Sequence, residues 1–331
     1  MRTPLRGAAA YLATTVLAVV AGCGGGGGGA TVVYKGVETP AVVSVADADT
    51  LTASVVTAQE FNFPALASFA KPGSGATASG VPAGFDPARV HRAMGAAVGA
   101  LGKAGDAARY SAKFTQACPS GGSAVFEVPD LLATTGIFKE TFFQCDLGDG
   151  FLINGSVIDN VTVATATQDA GTVYMNLSMS FSGQAFQFSA QSTYDLNSAT
   201  LVDHTTGDFE FWDSVNDVGM RIEDMDATDT YADVSDWDAD CALTSDYTMT
   251  VYDAVFGMVQ MATTTPVAFT VNACVNPGPS SGGPIVITGD GGGTITLTPL
   301  STTQATFAVD VDGDTVAEAT STELWVDLGF I

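Results

Sequence analysis

From residue 112 onward, apolar and polar residues alternate one by one along much of the chain. In "TVYMNLSMSF", Val173, Met175, Leu177, Met179 and Phe181 fall on one side, and Thr172, Asn176, Ser178 and Ser180 on the other. A period of two is that of a β-strand with one dry and one wet face. A turn is predicted at Ser182-Gly183-Gln184, after which Phe186, Phe188 and Ala190 alternate with Gln187, Ser189 and Gln191, so the pair reads as an antiparallel hairpin. The same alternation runs through "FLINGSVIDNVTVATAT", "YTMTVYD", "GPIVITG" and "TITLTPL". Turn-forming pairs separate these runs, among them Asp149-Gly150, Gly207-Asp208, Asp290-Gly291 and Asp312-Gly313-Asp314.

Before residue 112 the pattern differs. Asp47 to Ala58 is Ala-rich and predicts a short helix opened by an Asp cap. Residues 71–85 are rich in Gly, Pro and Ser and read as a loop. In "DPARVHRAMGAAVGALGK", Asp86 caps and Pro87 fills the first turn, while Val90, Met94, Ala97, Val98 and Leu101 recur at three- and four-residue steps, which predicts a second helix. The expected fold is mostly β, with antiparallel sheets forming a sandwich or partly open barrel and one or two N-terminal α-helices. Residues 34–111 form the helical segment and 112–331 the β domain. The latter has a weak internal echo: a Cys-bounded hairpin followed by long alternating strands occurs in both 112–240 and 241–331.

The extreme N-terminus speaks to location. Arg2 and Arg6 precede an apolar run from Ala8 to Val20, the length of a secretory signal and too short to span a bilayer. "Val20-Ala21-Gly22-Cys23" then resembles the lipobox of bacterial lipoproteins. The resemblance implies that residues 1–22 are a cleaved signal and that Cys23 is acylated on sulfur and at its new amino terminus. Multiple acyl chains provide a stable anchor where one does not. Residues 23–33, with six glycines at Gly24–Gly29, act as a tether. Gly24 rather than Asp after the cysteine resembles the pattern of outer-membrane lipoproteins, which implies lipid anchoring there, on the periplasmic face or the cell surface.

Charge and cysteine usage narrow the picture. The 331-residue chain carries 11 basic and 36 acidic side chains, a formal charge of −25. Binding of nucleic acid through a basic patch is thereby excluded, since only Arg221 is basic between Lys139 and the C-terminus. With Cys23 assigned to lipid, four of the five cysteines remain, and an oxidising compartment predicts two disulfides. Cys118–Cys145 and Cys241–Cys274 each enclose one hairpin and are the preferred pairing of three. Zinc is disfavoured, because no cysteine pair has the two- to four-residue spacing of a zinc site.

The pieces "YKGVETPAVVSVADADTL", "ETFFQCDLGDGFLINGS", "GGPIVITGDGG", "FAVDVDGD" and "TELWVDL" together resemble a group of Gram-negative bacterial lipoproteins with no assigned activity. That resemblance implies the same localisation and fold and brings no chemistry. Phe143-Gln144-Cys145 departs from the commoner Asn-Asn-Cys wording of the group.

Candidate chemistry is sparse. His91 lies on the polar side of the second predicted helix, and His204, beside Asp203 and near Asp208, is the only other imidazole. Ser280 in "GPSSG" has the wording of a nucleophile elbow but is crowded by Pro277, Pro279 and Pro284 and followed by a strand instead of a helix. Carboxylates and Trp212 and Trp237 crowd residues 203–240, as in a glycan-cleaving cleft, although alternating Asp on an outward strand face describes the same residues more economically. "DVDGDTVAE" sets Asp310, Asp312 and Asp314 at alternate positions with Glu318 to complete a Ca²⁺ loop, although Thr315 stands where such loops carry Gly and Ser321 where they carry Glu. No cofactor other than Ca²⁺ is suggested.

Three functions compete. The first is a membrane-anchored, non-enzymatic scaffold or surface interaction module. A second is a carrier, with Met175, Met179, Phe181, Phe186 and Phe188 lining a curved-sheet cavity for a lipid or other hydrophobic ligand, aided by Met249, Met258 and Met261. The third, a hydrolase, has the weakest support.

Overall fold

A computed structural model describes residues 34–60, 113–118, 120–127, 135–146, 152–181, 184–214, 217–232, 243–269, 279 and 281–328. The signal, Cys23 and tether, the predicted second helix with His91, the serine of "GPSSG", and Cys241 and Cys274 lie outside these residues.

The alternating segments become strands of one sheet. In chain order they are β1 (Lys113–Ala117), β2 (Gly121–Glu127), β3 (Gly136–Asp146), β4 (Leu152–Ala164), β5 (Gln168–Phe181), β6 (Gln184–Asn197), β7 (Val202–Asp213) and β8 (Val218–Tyr231). These are followed by β9 (Leu243–Asp253), β10 (Gly257–Thr263), β11 (Val267–Ala268), β12 (Ser281–Gly282), β13 (Ile285–Thr288), β14 (Thr294–Ser301), β15 (Gln304–Asp310) and β16 (Ala319–Leu324). All sixteen belong to one antiparallel sheet. Its order follows the sequence from β1 to β10 and then β13 to β16, with β11 and β12 beside β9. Strands β8 and β9, on either side of residue 241, pair from Met220 with Asp253 to Tyr231 with Leu243, so the two echoing halves share one sheet.

The dry face is continuous across the strands. One row of register partners runs Val157, Met175, Ala190, Phe209, Ile222, Val251 and Val259, all buried. Cross-strand contact between such side chains is what stabilises a sheet.

Helix α1 (Ala48–Glu60) covers part of this face. Residues 51–56, Thr and Ser included, are all buried, so this part of the helix is enclosed on every side, while Asp49 before it is exposed. Its start differs in detail from the expected Asp cap. The Asp47 carbonyl accepts the first helical bond from the Leu51 N–H at 2.9 Å, but its carboxylate accepts from Ser44 Oγ at 2.8 Å. Ser44 Oγ in turn accepts the Asp47 N–H at 3.2 Å, a reciprocal pair.

Burial of polar residues on α1 demands partners, and Asp253 at the end of β9 provides one. Its Oδ2 accepts the Ser54 hydroxyl, and its Oδ1 accepts the N–H groups of Val255 and Phe256 at 2.7 and 2.8 Å. A single buried carboxylate thus ties the helix to the sheet and shapes the β9–β10 turn.

The chain reaches α1 by crossing strand ends. Ala41 N–H donates to Met258 O at 2.8 Å, Met258 N–H to Thr39 O at 3.0 Å, and Asp290 N–H to Ala41 O at 2.7 Å. This close approach requires Gly257: its φ is +101°, and a Cβ there would stand 2.3 Å from Thr39 O.

The Cys118–Cys145 disulfide is present, with a Cα–Cα separation of 5.4 Å, and joins the β1–β2 turn to the end of β3. Closing a loop of this length contributes about 3–4 kcal/mol in chain-entropy terms.

Replacing Asp253 by Ala leaves the Ser54 hydroxyl and two turn N–H groups without an acceptor. Unfolding in denaturant should show a loss of about 3 kcal/mol or more, against about 1 kcal/mol for Ser54→Ala, which removes one of the three bonds and leaves the carboxylate satisfied.

Candidate functional site

The loop between β15 and β16 gathers the four carboxylates picked out by their spacing. One oxygen from each of Asp310, Asp312, Asp314 and Glu318 lies within 4.8 Å of the other three. Opposite ligands of a bound Ca²⁺ stand about 5 Å apart, so this cluster can bind a metal ion. Backbone donors hold the carboxylates in place. Asp310 accepts from Gly313 N–H and Thr315 N–H, both at 2.8 Å, Asp314 from Val316 N–H at 2.8 Å, and Glu318 from Val311 N–H at 2.6 Å. Thr315, in the place where calcium loops carry Gly, takes the left-handed φ of +72° that Gly would supply. A β-branched residue there is strained, at a cost of order 1–3 kcal/mol.

A second feature lies on the polar face of β1–β8, where the sheet is hollowed into a trough of about 940 Å³. Two register rows build its floor. One runs Thr115, Val125, Thr141, Ser156, Asn176, Ser189, Glu210 and Arg221, each the partner of the next. The other runs Lys113, Glu127, Lys139, Ile158, Tyr174, Gln191 and Asp208. Side chains alternate along a strand, and the shifts in register between these strands fall outside the pairings used by the two rows, so like neighbours line up across them.

The trough is charged at its ends and neutral between. At one end Lys113 pairs with Glu127 at 3.2 Å. The other end holds Arg221, which reaches Glu38 and Glu223, each at 3.1 Å, and lies over the Tyr252 ring at 3.9 Å. Burial pushes the Glu210 carboxyl above the usual carboxylate range, with nearby Arg221 opposing the shift. Among the described residues, the Asn176 side-chain oxygen is shut off from solvent and accepts no hydrogen bond.

Of the other predicted site residues, Met175, Met179, Phe186 and Phe188 are buried in the core cluster on the dry face, Met175 also bordering the trough, while the Phe181 side chain lies outside the described residues. Of the carrier methionines, Met249 and Met261 are buried in the same core. His204 Nε2 stands 2.9 Å from Asp226 Oδ1, with both side chains substantially exposed, and neither lines the trough. Asp224 lines the trough and takes Asp208 Oδ1 on its N–H at 2.9 Å, whereas residues 233–240 lie outside the described part.

Pattern reading missed two carboxyl groups on the dry face. Glu140 stands between Phe126 and Val157 in an otherwise apolar row, and its Oε1 has no hydrogen-bond partner among the described residues. Desolvation pushes its carboxyl up to about 8. Asp159 is raised to about 7, chiefly by burial, partly offset by the Tyr194 hydroxyl, which lies 3.2 and 3.3 Å from its two oxygens. A polar residue at a position where alternation demands an apolar one was the available signal.

Both groups are protonated in the folded chain at pH values where the unfolded chain has lost those protons. Stability from Glu140 is therefore complete below its unfolded value near 4.5 and is lost as pH rises to about 8, and that from Asp159 is lost between about 3.8 and 7. Urea melts from pH 4 to 9 should show the native chain weakening across this window, and Glu140→Gln should flatten the slope and be more stable than the parent at pH 8.

Comparison with models of protein families, with curated proteins and with solved structures finds no match to this chain, so its function is argued from the geometry above.

Proposed function

We propose that this chain is an exported lipoprotein, anchored in the outer membrane through acylated Cys23, and that it works as a non-enzymatic interaction module whose working surface is the polar trough. The observation that carries this reading is the contrast between the two faces of the sheet. The dry face carries its own side chains and α1 packed against one another, and the hollow lies on the polar face. A carrier of hydrophobic molecules needs the opposite, an apolar hollow. A hydrolase needs a nucleophile or paired acid and base in a cleft; the His204–Asp226 pair is a surface pair outside the trough, and of the trough's own carboxylates Glu223 is held by Arg221, Asp208 by the Asp224 N–H and Glu210 by the Ser189 hydroxyl. The Cys118–Cys145 bridge fits an oxidising compartment.

Calcium is the cation best suited to the β15–β16 loop. All four ligands are carboxylates, which favour a hard cation, and the left-handed turn at Thr315 gives the loop the sharp bend such sites use. Its role would be structural, holding the C-terminal hairpin against the turn at Gly292, whose backbone lies against Gly313.

The anchor is tested by the mass of the N-terminal peptide from chain extracted from its own envelope. It should begin at Cys23 and carry acyl chains, and a free thiol still joined to Met1 would refute the assignment. For calcium, saturating ion at about 100 times its Kd should raise stability by about 2.7 kcal/mol. Asp312→Asn with Asp314→Asn should abolish that gain, and a melting temperature indifferent to chelator would exclude the ion.

A further inference from the structure

The geometry points to a linear, uncharged glycan as the ligand of the trough, lying across the strands with its sugar units in step with them. This rests on the reading of the trough as the working surface and names what it takes.

Neighbouring strands stand about 4.8 Å apart, close to the advance of an extended pyranose chain per sugar. A ligand crossing the sheet therefore meets an equivalent side chain at each unit. An extended peptide advances about 3.3 Å per residue and falls out of phase with the same row.

Four successive positions of one row, Thr141, Ser156, Asn176 and Ser189, are hydroxyls and one amide. Such groups both donate and accept, as sugar hydroxyls do, and they do not select an ion. Asn176 has an acceptor bond still to make among the described residues, and rotation of its amide offers that oxygen to a hydroxyl. Beside this row stand the rings of Tyr174 and of Phe143, which is 48 % exposed, on a face whose other apolar side chains include Val125 and Ile158. Rings there give the apolar faces of pyranoses a surface to lie on, a role that solvent alone does not demand of them.

Lys113 is neutralised by Glu127, which leaves Lys139 as one positive charge at that end, and Arg221 by Glu38 and Glu223, which leaves Asp208, Glu210 and Asp224 at the other, so the trough as a whole is net negative. Anionic polymers are repelled from such a surface.

The test uses the full chain in a printed panel of neutral linear hexasaccharides of glucose, N-acetylglucosamine, mannose and galactose, with hexalysine beside them, followed by calorimetry on the best probe. Saturable binding of at least one neutral hexasaccharide is expected, weakened about tenfold or more by Tyr174→Ala and by Asn176→Ala, each of which removes one contact. Phe143→Ser, an exposed position whose loss leaves the fold intact, should weaken it as well, and thermal melts of all three variants check folding. Binding of hexalysine alone, weakened by salt, would overturn the proposal in favour of a basic peptide, and binding of no probe, or binding unmoved by the three variants, would overturn it outright. None of these outcomes alters the mass of the N-terminal peptide, so the anchored-lipoprotein reading stands or falls separately.

Discussion

The pairing register of β1 to β10 is the constraint from which the rest of this molecule follows. Side chains alternate with a period of two, so a slip of one residue in any pair would turn the dry row of Val157, Met175 and Ala190 outward and bring Ser156, Asn176 and Ser189 in. The sheet therefore commits, strand by strand, to one apolar and one polar surface. The register shifts between Gly121 and Ser123, Phe142 and Cys145, Val161 and Val163, Gly207 and Phe209, and Glu223 and Asp226, and the last two irregularities stand close together at the acidic end of the trough. Bulges bend and twist a sheet, and these two fall where the polar face is hollowed.

Commitment to one dry face makes its polar residues conspicuous. Asp253 is satisfied by three donors and serves as a joint between α1, β9 and the following turn. Glu140 has no partner among the described residues and stays neutral at the cost of an elevated pKa, so the same surface that stabilises the sheet makes its stability fall with rising pH. The difference between the two is the supply of N–H and O–H groups. A turn and a helix reach Asp253, whereas Glu140 faces the middle of apolar strands.

Much of this was legible in the letters. Alternation gave the strands and the dry and wet sides of Val173–Phe181, and cysteine economy gave the Cys118–Cys145 bridge. Spacing alone brought Asp310, Asp312, Asp314 and Glu318 together, since a hairpin turn of nine residues leaves little freedom. What stayed hidden depended on which strand lies beside which. The row from Thr115 to Arg221 draws one residue from each of eight strands, and no local window contains more than one of its members. Methionines and phenylalanines invited a carrier because a core and a lipid cavity use the same residues. Only packing tells them apart, and Met175, Met179, Phe186 and Phe188 are in the core. The burial of residues 51–56 of α1 was equally invisible, as Thr52 and Ser54 suggest a solvent face.

Arg221 connects the two ends of this account. It is the sole basic residue between Lys139 and the C-terminus, and its side chain belongs to two structures at once. Toward the trough it pairs with Glu223 and follows Glu210 in the row. Toward the N-terminal segment it binds Glu38 and lies 5.0 Å from the centre of the Tyr34 ring, which meets Trp212 and Tyr252 edge-on. Lys35, 5.4 Å from the Trp212 ring and 3.5 Å from Asp217, extends the same clasp. A cation between aromatic rings and two carboxylates is held more firmly than an exposed ion pair, because the rings shield it from water. The first described residues of the chain, Tyr34 to Glu38, are thus fastened to the acidic end of the trough, with Arg221 shared between the two.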